Sequence, residues 1–588
     1  MRTAPSPPPS ACVATPRVLP LPLGRALRPV RPSDVWFKPA TSVLIAQLVP
    51  NLILLALGRL DLAAFTMAGS LCALFAHNLP YAARARALAW VVAGMAAGVA
   101  VALGTAATTS SVPVLIAVAA ALAAAQKAVC DATAIGPPGP LILTFVTSGT
   151  LFLPGPVAVG RIPGDLGLVL AAGAFAWLVG MSPSLLYPQG PERRATARAL
   201  RAAAAYADTR GTGPGHERLR SAAAGAIHAA WQSLLSVGVD HPGRRTLDLL
   251  VVRAEVALAA PAATDADQLR AWAAALPGRR PLPRVAGLPD ATAGAESTAG
   301  GHELAGVGAV RNPPRSPWWH RLAPGSAALP LVLRTFLGCA LAGYASYAAG
   351  VGRPYWAVIA AASLYQANVT LTWNRALQRS VGTLGGVLVL AAITPLTRVG
   401  ALPLVLCTAA FGFGAEALIT RNYWIGNLCV TPMALLITQF AQQQPTGRLI
   451  SDRVVDTVIG AAVGFATAVV VTNRRAGRHL ERSLDSTEAA RGRCERALAD
   501  AGTDPAGREG ARRALAAALV DLRVTADAAA GEWWQRALPK ERLLSVEQSG
   551  HATLAAAVRQ RTAAASARRA AGAAGVCGGH PVMEETYR

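Results

Sequence analysis

The sequence predicts an all-α integral membrane protein, organised as two parallel six-helix repeats with about 12 transmembrane helices and cytoplasmic helical regions after each repeat. Three observations lead there. Hydrophobic residues make up 53% of the 588-residue chain and charged residues only 15%, against about 25% charged in a soluble domain. Uncharged stretches of roughly 17–23 residues recur, the length that crosses about 30 Å of hydrocarbon. The clearest are Ala87–Thr109, Leu166–Tyr187, Ser380–Thr397, Val399–Ala415 and Thr457–Asn473. Finally, one signature occurs twice. It reads Ala64-Phe65, then Tyr81-Ala-Ala-Arg84-Ala-Arg86, then Gly94-xxx-Gly98 in the first half. In the second it reads Tyr355-Trp356, then Trp373-Asn-Arg375 and Arg379, then Gly382-xxx-Gly386. An offset of 291 lays Phe65 on Trp356, Arg84 on Arg375 and Gly94 on Gly385.

Taken in order, residues 1–38 are rich in Pro and Arg and lack the apolar stretch of a cleavable signal peptide, so a disordered cytoplasmic arm is expected. The first repeat occupies 39–187, with spans expected at 39–57, 62–79, 87–107, 112–130, 140–159 and 165–186. Basic residues concentrate on the cytoplasmic side of a membrane. That rule puts the N-terminus inside, Arg84 and Arg86 in a cytoplasmic loop, and Glu192-Arg-Arg194 inside again. Residues 188–326 form a cytoplasmic helical region and linker: Leu249, Val252 and Val256 recur at helical spacing, and 277–325 is Pro/Gly/Arg-rich. The second repeat occupies 327–472, with spans expected at 327–349, 354–371, 380–397, 400–419, 422–441 and 454–472. Arg375, Arg379, Arg421 and Arg474-Arg475 then fall inside; Arg59, Arg161, Arg353, Arg398, Arg448 and Arg453 fall outside, mostly singly. Residues 473–588 are a C-terminal cytoplasmic helical region with Leu515, Leu519 and Leu522 on one face, and a tail beyond 570 that reads as disordered. Even span numbers make the repeats parallel and place both termini in the cytoplasm of a multi-pass protein of the cell (inner) membrane.

Other classes fit poorly. The net charge of +23 is spread over loops and helices, without the basic stripe and interleaved aromatics of a nucleic-acid surface. It suits lipid contact at the inner surface instead. The eight cysteines contain no Cys-x-x-Cys pair, so no zinc or redox motif is indicated. None of Lys38, Lys127 and Lys540 follows a glycine, which excludes a Walker A loop. His216-Glu217 and His302-Glu303 are followed by Arg220 and Gly306 where a zinc-protease helix needs histidine, and no Gly-x-Ser-x-Gly elbow occurs. No cofactor, metal or enzymatic activity is expected.

The run Arg353-Pro-Tyr-Trp-Ala, then Gln366, Trp373-Asn-Arg375-Ala and Arg379-Ser-Val-Gly382-Thr-Leu-Gly385-Gly386, resembles the signature of the fusaric acid resistance protein-like (FUSC) family. So does Arg453-Val-Val-Asp456-Thr-Val-Ile-Gly460. The resemblance covers the second half well and the first half loosely, where Ala64-Phe65 replaces Tyr-Trp. It implies an inner-membrane transporter with aromatic or other small organic acids as cargo.

Several residues are candidates for a substrate or proton pathway. Glu416, within the tenth expected span, is costly there and suited to carry a coupling proton; pairing with Arg421 is the structural alternative. Lys127 sits at the matching place in the first half, facing Glu416 across the pseudo-axis or held by Asp131. Arg84, Arg86, Arg375 and Arg379 could meet an organic acid at the cytoplasmic side, since guanidinium binds carboxylate bidentately, or simply set topology. Trp356 and Tyr355 either anchor in an aromatic belt or stack on an aromatic substrate; Gln366 and Asn368 hydrogen-bond a ligand or another helix. Arg334 would snorkel to the interface, Arg453 and Asp456 form a local helix-start pair, and the Gly94/Gly98, Gly382/Gly386 and Gly460/Gly464 pairs serve close helix packing. The function expected is export of small organic, including aromatic, acids, proton-coupled or passive. An anion channel of the same architecture and a non-transport scaffold with a partner-binding cytoplasmic domain are the alternatives. Lipid and a small organic anion are the expected partners, with homo-oligomers also compatible.

Overall fold

Backbone polar groups in hydrocarbon must be satisfied within the segment, which favours helices for Ala- and Leu-rich runs such as these. The computed structural model describes residues 23–29, 36–283 and 329–577, apart from 134, 137, 154, 156, 210–213, 237–242, 279, 442–443, 472–475 and 532–538. Most of the expected N-terminal arm, most of the 277–325 linker, Arg474-Arg475 and the last residues of the tail lie outside the described residues. The described residues are helical without a strand. In the first half the helices are α1 (Leu23–Ala26), α2 (Phe37–Ala56), α3 (Ala63–Ser70), α4 (Tyr81–Thr108), α5 (Val112–Thr133), α6 (Pro140–Leu151), α7 (Ile162–Met181) and α8 (Pro183–Leu186). Helices α9 (Gly190–Ala207), α10 (Pro214–Leu235), α11 (Arg244–Ala259) and α12 (Ala266–Ala275) follow. The second half holds α13 (Leu329–Ala348), α14 (Tyr355–Ala362), α15 (Val369–Thr397), α16 (Ala401–Ile419), α17 (Tyr423–Ala441) and α18 (Thr446–Val470). It is followed by α19 (Ala476–Ala499), α20 (Pro505–Ala530) and α21 (Lys540–Cys577).

Among the described residues, eight helical segments are long and apolar enough to cross a membrane: α2, α4, α5, α7 with its flanking turns, α13, α15, α16 and α18. The expected spans two, five, eight and eleven are not among them. The second expected span is the eight-residue α3 followed by a 3₁₀ turn at Leu71–Leu74, and the chain then runs through bends and a turn to Pro80. The eighth is the eight-residue α14, after which the chain turns through 363–368 before α15 begins. These breaks move four arginines out of the loops expected for them. Arg84 and Arg86 lie in the first two turns of α4, and Arg375 and Arg379 in the second and third turns of α15. The reason is local. Ala and Arg are strong helix formers, Pro80 suits the residue before a helix and not its interior, and Asn368 caps α15 by accepting the Leu371 N–H at 2.8 Å, worth about 1 kcal/mol.

The packing crosses between the halves. Helix α2 runs along α16, and α13 along α5; α3 touches α17, and α14 touches α6. Within each half, α4 lies against α6 and α7, and α15 against α17 and α18. Leu178, Leu341, Leu388 and Val458 remain exposed on the outer surfaces, as lipid-facing side chains would. Residues 23–29 do not hang free. Gln378 and Asn422 donate to the Ala26 carbonyl, and Trp424 Nε1 donates to the Leu27 carbonyl at 3.0 Å, holding the segment on α15 and the start of α17.

The helices after the two halves join. Leu249 and Val252 are buried on α11, as are Leu515, Leu519 and Leu522 on α20. Across the seam, Glu255 of α11 takes ion pairs from Arg512 of α20 and Arg561 of α21, both at 2.6 Å. The far end of α20 reaches the membrane half: Thr370 donates its backbone N–H (3.1 Å) and hydroxyl (2.8 Å) to the Gly531 carbonyl.

Candidate functional site

Residues four apart share a helix face, so α15 presents Arg375 and Arg379 together toward α17. The Arg375 guanidinium carbon stands 3.2 Å from the Tyr423 ring centroid, and Arg379 Nη1 donates to the Tyr423 hydroxyl at 3.0 Å. Asn427 Nδ2 donates to the Arg379 carbonyl and to Thr383 Oγ1, each at 3.2 Å. The close approach of α15 and α17 requires glycine: a Cβ on Gly382 would stand 2.6 Å from the Trp424 carbonyl oxygen.

Next to this group, α18 carries Arg453. Its guanidinium carbon lies 4.0 Å from the Trp356 ring centroid, and it is within electrostatic range of Arg379, Tyr355, Asp456 and Tyr423. Arg379 is 2% exposed, Arg453 1% and Trp356 1%. Burying guanidinium usually demands a carboxylate. Among the described residues, neither Arg379 nor Arg453 forms an ion pair, and the buried Arg379 Nε and Arg453 Nε and Nη1 have no hydrogen-bond acceptor. Asp456, one turn beyond Arg453 and fully buried, accepts from the Ser346 hydroxyl instead. The expected Arg453–Asp456 pair is therefore corrected: the arginine stacks on an aromatic ring of α14.

Trp356 opens onto a cavity of about 300 Å³ between the halves. Met67, Phe145 and Phe152 line it from the first half, and Arg353, Tyr355 and Thr438 from the second. Phe145 lies 5.9 Å from Trp356 between ring centroids, and Phe152 stacks on Tyr355 at 5.5 Å. The walls come from α3, α6, α14 and α17, the elements that are not among the long apolar helices. Short or broken elements fit where protein surrounds them, not lipid.

The remaining sequence candidates are scattered. Glu416 is half-buried on α16 and forms no ion pair with Arg421 or any other described residue. Lys127 donates to both carboxylate oxygens of Asp131 at 2.7 Å, the Asp131 arrangement and not the Glu416 one of the two read from the sequence. Arg84 is buried against His77 at 3.1 Å, and Arg86 is exposed. Asn368 caps α15 and also donates to the Asp527 carbonyl at 3.4 Å. The Gln366 side chain donates to the neighbouring Tyr365 carbonyl at 3.4 Å. Trp356 is in the bundle interior, which corrects the aromatic-belt alternative. Arg334 does not snorkel: it is buried and donates from Nε and Nη2 to the Val471 carbonyl. Close packing holds at Gly382, Gly386, Gly460, Gly464 and Gly98, while Gly94 meets nothing within 4 Å. Sequence reasoning passed over Arg453, Tyr423 and Asn427 as site residues. The usable signal was Arg453 in the same family-like run as Asp456.

Comparison with known proteins agrees with this emphasis on the second half. Residues 338–467 match the family model described as fusaric acid resistance protein-like, so the resemblance read from the sequence holds over that segment. The "Uncharacterized membrane protein YvaC" of Bacillus subtilis (strain 168) is 31% identical over 133 residues, 22% of this chain and 21% of that relative. The chain thus aligns with about a fifth of the relative's length. No solved structure matches significantly. The fold and this match define a membrane protein of many apolar helices carrying a fusaric acid resistance protein-like segment.

Proposed function

We propose that this protein is a secondary transporter of the cell (inner) membrane that exports small organic anions, aromatic acids among them. In this reading both termini are cytoplasmic and the halves are two parallel six-helix repeats. Reciprocal packing supports the repeat: the first helix of each half lies on the fourth of the other (α2 on α16, α13 on α5), and the second of each touches the fifth of the other (α3 on α17, α14 on α6).

The observation that carries the function is the burial of Arg379 and Arg453 with no carboxylate ion-paired or hydrogen-bonded to either among the described residues. An unpaired buried cation costs several kcal/mol. A passing anion supplies the acceptor that the protein does not. An organic acid would engage Arg375 and Arg379 over Tyr423, then Arg453 on Trp356, then the aromatic cavity beside Arg353. Guanidinium recognises the carboxylate, and the rings recognise the flat apolar body.

The test is efflux of labelled benzoate from proteoliposomes containing the purified protein. Wild type should release it, and Arg379→Gln and Arg453→Gln should each lose release by about 30-fold, the equivalent of about 2 kcal/mol for a charge-assisted bond. Unchanged release in both variants would sink the reading, and no release from wild type would favour the scaffold. Release that requires a proton gradient, and loses that requirement in Glu416→Gln or Asp456→Asn, identifies a coupled exporter; gradient-independent release identifies a channel.

A further inference from the structure

Packed interiors hold few voids larger than a water molecule. The helices outside the membrane halves nevertheless enclose a cavity of about 360 Å³, the size range of small-molecule sites. It lies at the seam between the region after the first half and the region after the second. Helices α10 and α11 supply Trp231, His228 and Leu258; α20 and α21 supply Leu519, His551 and Val558.

The walls are mostly apolar, and their charged groups are Arg220, Arg512 and Arg513 against Glu255. Arg512 and Arg513 of the wall, and Arg561 beside it, pair with Glu255 and Glu509. Arg513 covers the Trp231 ring at 4.6 Å, which places a guanidinium on the aromatic wall. Arg220 pairs with Glu217, yet its buried Nε has no acceptor. The His551 imidazole is held neutral, its pKa lowered to about 4 by burial first and by Arg220 second; burial lowers His228 as well. The guanidinium groups can donate to an anion and repel a cation, and the neutral imidazoles can each add one hydrogen bond.

The cavity is also wired to the membrane half. Gly510, Arg512, Arg513 and Leu519 of α20 line it. The same helix ends where the Asp527 and Gly531 carbonyls accept hydrogen bonds from Asn368 and Thr370, at the start of the helix that carries Arg375 and Arg379. From Arg512 to Gly531 is about 28 Å of helix.

We propose that this cavity binds an apolar organic monoanion, such as an aromatic carboxylate, and that its occupancy is transmitted along α20 to the start of α15. The binding stands on the cavity alone; the transmission rests on the exporter reading. The site would then sense the same class of molecule that the membrane path carries.

The test uses the full chain in detergent and calorimetric titration with 1-naphthoate, with 1-naphthalenemethanol as the neutral control. Wild type should bind the acid at least 10-fold more tightly than the alcohol. Ala224→Trp and Ala517→Trp, which fill the cavity from opposite walls, should each weaken acid binding at least 10-fold with an unchanged elution profile. Arg220→Gln should weaken it without adding bulk, which covers the case that a tryptophan variant misfolds. Arg453→Gln, in the membrane path, should remove only the binding that belongs to that path and leave the cavity site in place. Acid binding in the Arg453→Gln background that survives both fillings, or equal binding of the alcohol there, overturns the proposal. Loss of all binding in Arg453→Gln alone also overturns it, because the acid then sits in the membrane path. If wild type exports nothing but the filled variants lose binding, the cavity stands and the exporter reading fails. If filled variants export benzoate at the wild-type rate over all naphthoate concentrations, the transmission is overturned.

Discussion

Two clusters of buried arginine in this molecule are built on opposite principles. Outside the membrane halves, Arg512 is held by Glu255 and Glu509, each at 2.6 Å, and Glu509 also takes Arg513 at 2.7 Å. Within the second half, Arg379 and Arg453 are as deeply buried, yet they rest on Tyr423 and Trp356 and, among the described residues, form no ion pair; the Asp456 carboxylate is within electrostatic range of Arg453 but hydrogen-bonds Ser346. In the first cluster every arginine has a carboxylate partner, so these residues bind two regions together. In the second no arginine forms an ion pair among the described residues, which is what the transport proposal builds on.

The contrast can be broken at either cluster. The largest effect is expected from Glu509→Gln, which leaves guanidinium groups buried without their partner and should cost about 3–5 kcal/mol of stability in denaturant unfolding. Acid acts on the same group. Burial alone would raise the Glu509 pKa, but Arg512 with Arg561 and Arg513 outweighs it and holds the carboxylate below its ordinary range. Its contribution is therefore present above about pH 4.5 and lost as pH falls through the depressed value. A melting series from pH 6 to pH 2 should show that loss in wild type and a flatter profile in Glu509→Gln.

Arg453→Gln should do the reverse. Removing an unpaired buried charge should leave the melting temperature unchanged or raised, while benzoate release falls about 30-fold. A parallel loss of both would mean that Arg453 is structural. A smaller effect is expected at the ring beneath it. Trp356→Leu keeps apolar volume but removes the cation–π contact, worth about 1 kcal/mol, so half-saturating benzoate should rise about five-fold at nearly constant maximal rate. The smallest is expected at Arg86→Gln, on an exposed face of α4, where release should stay within about two-fold. A larger loss there would return the first half to the pathway.

Much of the membrane architecture was legible in the sequence because long uncharged runs declare themselves through length alone. The short elements were not. Runs such as 62–79 and 354–371 have the composition of a span, and nothing in their hydropathy marks where Phe75 or Ser363 leaves the helix. That depends on Pro80 and on the Asn368 cap, single residues whose effect is decided by the neighbours they meet. The site was half legible. Arg375, Arg379 and Trp356 were candidates from the repeated signature, but Arg453 looked like a helix-start partner of Asp456 at i+3. Its stacking on Trp356 joins residues almost a hundred positions apart, which no local pattern records. Lys127 and Asp131 went the other way: the i, i+4 pair was plain in the sequence and accounts for the lysine.

The contact at Gly460 has a mechanical consequence. A Cβ there would stand 2.6 Å from the Ala357 carbonyl oxygen, so α18 and α14 meet backbone to backbone with no side chain between them to yield. Two rods in that relation travel as one lever. Arg453 and Trp356, one on each rod, keep their stack through any stroke. The bearing surface lies across the cavity, where the Phe145 and Phe152 rings lie beside Trp356 and Tyr355 and flat faces can slide.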